Sequence, residues 1–312
     1  MAIPKISVIL PVYNGGEYLK LSVESVLKQD LADFEFLIID DRSTDGSWEY
    51  LQSLEDHRLK LFRNPANRGL FFNLNQMIHD SSSSLIKLWA QDDIMYPFCL
   101  SSFLSFHETH PGIGFSYSAR DIIDSEGRVV QPFGGDETPV VVSTEKHAEI
   151  SFEYGSIAGN IANVCLCRKA LNKVGLYNET MKISADFDMQ VRIAQFFPVG
   201  FIKTPLIQLR DHEKQLSRNP DLYIFHVKED MEIYKHLLSY VHPELRKKGR
   251  RLLRKHKLMF HYTLMLQALF QGKVNTAKKY YRLLTNFDNF PLLSLYFLRS
   301  RIKRLVNTHG RN

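Results

Sequence analysis

Cysteine is nearly missing from this chain, with three among 312 residues: Cys99, Cys165 and Cys167. So small and odd a number builds no disulfide framework and points to a reducing compartment. Cys165 and Cys167 lie two apart in an alternating apolar run. On a strand that spacing puts both on one face, as core filling rather than as metal ligands. No window of about 18 uncharged apolar residues occurs, so no transmembrane helix is predicted. The richest stretch, residues 258–270, is interrupted by His261 and Gln267. The start Met1-Ala2-Ile3-Pro4-Lys5 lacks a basic segment followed by an apolar one, so no secretory signal is expected. A G-x-G-x-x-G after the first apolar run is absent too, which disfavours a dinucleotide-binding oxidoreductase. The loop at that place, Tyr13-Asn14-Gly15-Gly16-Glu17, also lacks the basic residue of a nucleotidyltransferase phosphate loop. Neither an internal repeat nor a low-complexity tract is found.

What is present is an ordinary globular composition, 44% hydrophobic and 24% charged. The net charge of +6 is unevenly spread. Residues 221–312 hold 19 Lys and Arg against 6 Asp and Glu, and the first 220 hold 21 against 28. An acidic catalytic domain over 1–220 and a basic helical region over 221–312 are therefore expected.

The first hundred residues alternate between two periods. Ile6 to Leu10, Phe34 to Ile39, Leu59 to Phe62 and Leu85 to Trp89 read as strands, and the continuous β-branched and apolar runs suit buried parallel ones. Between them lie helical patterns: Leu19, Val23, Val26 and Leu27 on one face, then Trp48, Leu51 and Leu54 after a cap at Ser43, then Leu74 and Ile78 after the turn Asn67-Arg68-Gly69. This β-α-β-α-β-α-β order predicts an α/β fold with a mostly parallel sheet flanked by helices. Ligands of such sheets bind beyond the carboxyl ends of the strands, where Asn14, Asp40-Asp41 and Asp92-Asp93 all fall. Further on, Ile113 to Tyr117 and Asn163 to Arg168 read as strands, Asp124-Ser125-Glu126-Gly127 as a hairpin turn and Ala185 to Phe196 as a helix.

Several polar groups carry candidate chemistry. A carboxylate at Asp40-Asp41 can accept hydrogen bonds from a nucleobase or ribose, or can serve the adjoining turn. Asp92-Asp93 supplies hard oxygen ligands for a divalent cation, or is a solvated turn. Asp186 and Asp188 open a helix, where one could be a general base or both could complement the helix dipole. Arg210, His212, Gln215 and Ser217 could hold phosphate oxygens or complete a metal site, or be a surface loop.

Together, the string Ser7-Val8-Ile9-Leu10-Pro11-Val12-Tyr13-Asn14-Gly15, then Ile39-Asp40-Asp41 with Ser43-Thr44-Asp45-Gly46-Ser47, then Asn67-Arg68-Gly69 and Gln91-Asp92-Asp93, resembles the family 2 inverting glycosyltransferases. The likeness spans roughly residues 4–217. It implies the Rossmann-like GT-A fold, with the C-terminal helices as an appendage. It further implies a nucleoside-diphosphate sugar as donor (UDP, dTDP or GDP) and a saccharide or lipid-linked acceptor. By the same likeness Pro11, Val12, Tyr13 and Asn14 would border the nucleobase, Asp41 with Asp40 would hold the nucleoside, and Arg68 and Gln91 would lie in the donor site. Asp92 would bind Mg2+ or Mn2+ with the diphosphate, Asp93 would face the donor sugar, His212 would close over the diphosphate and join the metal, and Asp186 would be the catalytic base. Three positions depart from the family pattern: Ala90 for the first aspartate of Asp-x-Asp, Arg42 for a glycine, and Ala185 for the glutamate before the base. Ala90 and Ala185 keep open a non-catalytic sugar-nucleotide binding module.

The basic run from Arg246 to Lys257, beside Leu258, Phe260 and Tyr262, suits helices lying on an anionic membrane surface or packing on the catalytic domain with a solvated face. A cytoplasmic protein, peripheral at the inner face of the cell membrane in the first case, is expected. Nucleic-acid binding is not expected, because no recognition fold or aromatic platform is visible.

Overall fold

A computed structural model describes residues 3–213, 215 and 223–309. The boundary expected after residue 220, and Ser217, lie outside them. The chain forms two compact units, Met1–His147 with Ser156–His226, and Ala148–Gly155 with Val227–Asn312. The short segment Ala148–Gly155 thus belongs with the C-terminal helices, although nothing in its composition sets it apart.

The first unit is built on a ten-stranded mixed sheet. Its opening half keeps the predicted alternation: β1 (Ile6–Val12), α1 (Leu19–Leu27), β2 (Phe34–Asp40), α2 (Ser47–Gln52), β3 (Leu59–Arg63), α3 (Leu70–Asp80) and β4 (Leu85–Leu88). The spatial order of these strands is β3-β2-β1-β4, all parallel. The order reverses at β1, so the crevice between the ends of β1 and β4 is the topological switch point. Ile6, Val8, Leu10 and Val12 of β1 and Phe36 and Ile38 of β2 are fully buried, together with Val23 and Val26 of α1. Burial on both sides explains why these strands read as unbroken apolar runs.

The far half of the sheet is not parallel throughout. After β5 (Ile94–Met95) and α4 (Cys99–Thr109) come β6 (Phe115–Ile123), β7 (Val129–Gln131), β8 (Val141–Val142), α5 (Thr144–Tyr154), β9 (Val164–Cys167), α6 (Arg168–Val174), α7 (Ala185–Ala194) and β10 (Val199–Arg210). Strand β9 runs antiparallel between β4 and β6, while β6 and β10 are parallel. The mostly parallel sheet expected is thus a mixed one, parallel over β1–β4 and between β6 and β10 and antiparallel at its other pairings. Pro205 has no N–H for the ladder, and the β10 register against β6 slips on both sides of it. The expected hairpin turn joins β6 to β7, with Gly127 at φ 84.

The second unit contains most of α8 (Tyr223–Tyr240), then α9 (Pro243–Leu253), α10 (Met259–Phe270), α11 (Val274–Phe287) and α12 (Phe290–His309). One π-type turn, Arg254–Leu258, runs α9 into α10. Tyr262 anchors α10 to α12 by a 2.9 Å hydrogen bond from its hydroxyl to Ser294. Among the described residues no helix is long and apolar enough to cross a membrane.

Candidate functional site

Four loops meet where β1–β4 end. The chain leaves β1 through Tyr13 and Asn14, and Asn14 takes the left-handed conformation (φ 49) that asparagine tolerates. Its amide donates to Ser43 Oγ (2.9 Å), and its side-chain oxygen accepts from Thr44 N–H (2.9 Å). Gly15 and Gly16 N–H donate to Ser47 Oγ and Asp45. Across the switch point, Gln91 binds the Tyr13 backbone twice, accepting its N–H (2.9 Å) and donating to its carbonyl (3.1 Å). The expectation that Ser43 caps α2 is corrected. That helix begins at Ser47, whose amide and hydroxyl are both held by Asp45, and Ser43 serves the β1 loop instead.

The first aspartate pair is enclosed. Asp40 has no exposed surface; it accepts from Ser43 N–H and from Arg63 Nε at 3.1 Å. Asp41 is 2% exposed and takes three donors, Asn64 Nδ2, Arg68 N–H and Gly69 N–H, each at 2.8 Å. Both carboxylates, expected to hold the nucleoside, anchor the 42–47 and 64–69 loops. Arg42, next in line, lies at φ 69. That left-handed conformation is where a glycine is free of strain. Val12, expected to border the nucleobase, is fully buried, and its carbonyl accepts Asp41 N–H at 2.7 Å. Pro11 stays within β1, half-buried. Tyr13 is 49% exposed, and the exposed Arg68 lays its guanidinium over Phe72 at 4.2 Å.

The second pair splits. Asp92 is partly exposed, and its Oδ2 lies 2.9 Å from His212 Nε2. The His212 ring packs on Tyr18 at 5.2 Å. Asp93 turns the other way. It is 1% exposed, accepts Arg210 N–H at 2.9 Å, and its Oδ2 has no partner. Burial, and then the Asp92 charge, push its carboxyl well above the usual range. The carboxyl expected to face a donor sugar thus lies buried against the Arg210 backbone. Arg210 is the brace behind both. Buried at the end of β10, it donates to the carbonyls of Asp92 (2.9 Å), Asp124 (2.8 Å) and Ser125 (3.1 Å) and covers the Tyr18 ring at 4.4 Å.

Asp186 and Asp188 open α7 but are used differently. Asp188 is bound by Arg192 at 2.8 Å, and the same guanidinium donates to the Val174 and Leu176 carbonyls. It is a structural clamp. Asp186 is half-buried, accepts the Phe187 N–H, and its charge reaches the buried Tyr177 phenol, which burial chiefly raises.

Sequence reasoning missed Tyr18, Asn64 and Lys87. Asn64, the first residue after β3, was findable as a polar group at a strand's carboxyl end. Tyr18 carried no signal. Lys87 sits inside β4 without exposed surface, its ammonium on the carbonyls of Leu88 (2.9 Å) and Ala162 and between the Trp89 and Phe103 rings. Burial holds its pKa low.

Asp92 and His212 supply one carboxylate oxygen and one imidazole nitrogen, and the unpartnered Asp93 Oδ2 lies on the neighbouring residue. No group of three such side chains converges among the described residues. The donor set therefore fits a divalent ion that completes its shell with oxygens from a bound diphosphate, not one caged by protein alone.

With this geometry in place, the family model described as Glycosyl transferase family 2 matches residues 7–174. The matched region stops short of Asp186 and His212. The chain is 24% identical over 220 residues to an uncharacterized glycosyltransferase of Rickettsia felis, covering 69% of this chain and 35% of that protein. It is 34% identical over 110 residues to the putative glycosyltransferase EpsE of Bacillus subtilis, covering 34% of this chain and 40% of EpsE. The chain thus spans little more than a third of the length of these curated relatives. Among solved structures, S. aureus TarS in complex with UDP-GlcNAc superposes with a TM-score of 0.70 at 16% identity, covering 91% of this chain and 80% of that one. The mannosyltransferase PcManGT of Pyrobaculum calidifontis, in complex with GDP-Man and Mn2+, gives 0.57 at 13%, covering 96% and 81%. Likeness at these identities concerns the fold.

Proposed function

The chain belongs to glycosyl transferase family 2, and from that premise we propose that it moves a sugar from a nucleoside-diphosphate sugar to a hydroxyl of a saccharide or lipid-linked acceptor, with inversion. The observation that carries the reading is the meeting of Asp92 and His212 at 2.9 Å beside the β1–β4 switch point. It is supported by the UDP-GlcNAc and GDP-Man named in the structures it resembles.

In this reading the half-exposed Tyr13 ring and the Asn14 loop border the nucleobase, and Arg68 lies beside them. Asp40, Asp41 and Gln91 hold those loops in place. Asp92 and His212 would hold Mg2+ or Mn2+, which would supply positive charge against the diphosphate leaving group. Asp186 takes the proton from the acceptor hydroxyl as its oxygen attacks the anomeric carbon, and the nucleoside diphosphate leaves from the opposite face. The Tyr13–Gln91 and Arg210–Asp92 links keep this edge rigid, which limits reorganisation during reaction. The reading extends to synthesis of a surface polysaccharide or other glycan, and to peripheral contact of the C-terminal helices with an anionic membrane. The exposed Phe260, Leu269 and Phe270 beside Lys273 are what support that contact.

Asp186→Asn is the decisive variant. Transfer should be abolished while nucleoside-diphosphate affinity, read by calorimetry with Mn2+, stays within about twofold. Turnover retained in that variant overturns the assignment of the base.

A further inference from the structure

The helical unit contains a feature that the transfer reaction does not use. A cavity of about 270 Å3 is lined by Lys235, Leu238 and Ser239 of α8, Arg246 and Arg250 of α9, and Phe287 and Asp288 at the end of α11. Helical spacing explains the lining. Positions 235, 238 and 239 share one face of α8, and 246 and 250, with 254 beyond, share one face of α9.

Three like charges around one hollow are unfavourable unless opposed, so the carboxylates matter. Asp288 is the one carboxylate in the lining, and it is already engaged by Arg254, at 2.5 Å to Oδ2 and 2.9 Å to Oδ1. Lys235 and Arg250 are exposed and make no hydrogen bond or ion pair among the described residues. Arg246 spends one terminal nitrogen on the carbonyls of Ser239 (3.1 Å) and Val241 (3.3 Å), the last turn of α8 and the residue after it. Its Nε is buried with no partner among the described residues. Such an orphaned guanidinium donor is costly unless an acceptor meets it. The hollow therefore combines a point charge, two planar donors and an apolar wall at Leu238 and Phe287. It is too small for a protein element and large enough for a phosphate or diphosphate.

We propose that this cavity is an anion site, separate from the donor site, that takes a phosphate monoester or diphosphate group through Lys235, Arg246 and Arg250. Charge-assisted, partly bidentate contacts from the two guanidinium groups give it preference for tetrahedral oxyanions over chloride.

Titration of the full chain with pyrophosphate in EDTA, followed by calorimetry, tests the site. The double variant Lys235→Gln/Arg250→Gln should weaken binding by about tenfold or more. Lys247→Gln/Arg251→Gln, which removes the same charge from exposed positions of α9 outside the lining, should leave it within about twofold. With the site unfilled, relief of like-charge repulsion should keep the melting temperature of the first double variant at or above wild type. Equal loss in both double variants, no loss in either, or no binding by wild type overturns the proposal. Vesicles of phosphatidylcholine with and without phosphatidate distinguish the source of the group. If the first double variant alone loses phosphatidate-dependent sedimentation, the phosphate is presented on a lipid. If only the pyrophosphate titration responds, the ligand is soluble.

Discussion

Asp40-Asp41 and Asp92-Asp93 are the same dipeptide at comparable places, where the chain leaves β2 and β4, the two parallel strands that flank β1. Their fates differ. Around the first pair the protein supplies donors in excess: Ser43, Asn64, Arg68 and Gly69 amides and the Arg63 guanidinium. Around the second it supplies one amide to Asp93 and one imidazole to Asp92. A carboxylate whose lone pairs are filled by the fold organises loops. One whose partner is a single titratable ring at the surface remains available to a ligand. The two pairs therefore differ in local donor supply, not in the motif.

The comparison can be broken by mutation. Asp41→Ala strands three donors in a buried place and should lower unfolding free energy by about 4 kcal/mol, read by chemical denaturation. Asp92→Ala removes a partly exposed group and should change stability by less than about 1 kcal/mol, yet reduce transfer by about a hundredfold or more. A stable Asp41→Ala, or an unstable Asp92→Ala, would reverse the roles assigned to the pairs.

Both tests need pH above about 6.5. His147 is buried and His107 half-buried, and loss of solvent holds both near a pKa of about 4, against an ordinary 6.5. The folded state favours their neutral form. Their contribution is complete above 6.5 and is lost as pH falls towards 4, at most about 3 kcal/mol for each. A melting temperature that stays level between pH 7 and 4.5 would contradict this.

The smallest effect concerns the residue next to each pair. After Asp93 the chain enters β5, whereas after Asp41 it turns left-handed at Arg42. Arg42→Gly should be neutral to stabilising by up to about 1 kcal/mol, because relief of strain is offset by the freer unfolded chain. A loss of more than that would mean the Arg42 side chain has a structural role.

Much of the fold was legible in the sequence, for identifiable reasons. Strands β1, β2 and β4 are buried on both faces, so each left a mainly apolar run followed by a polar cluster, whereas the outer β3 is only partly covered. The antiparallel insertion of β9 left no such trace, because Val164–Cys167 is apolar whichever direction its neighbours run. Nor did Arg42 advertise its conformation, since a positive φ at a non-glycine is a consequence of the loop around it.

By itself the sequence determined that the chain folds as an α/β protein of this family, and which loops end at the ligand edge, because hydrophobic period and turn residues act locally. Only the tertiary structure decided which aspartates are spent. Asn64, Arg68 and Gly69 lie 23 to 28 residues from Asp41, and His212 lies 120 from Asp92. Distances of that kind are closed by the sheet, and hydrogen bonding, unlike hydrophobic period, depends on which groups are brought within about three ångströms.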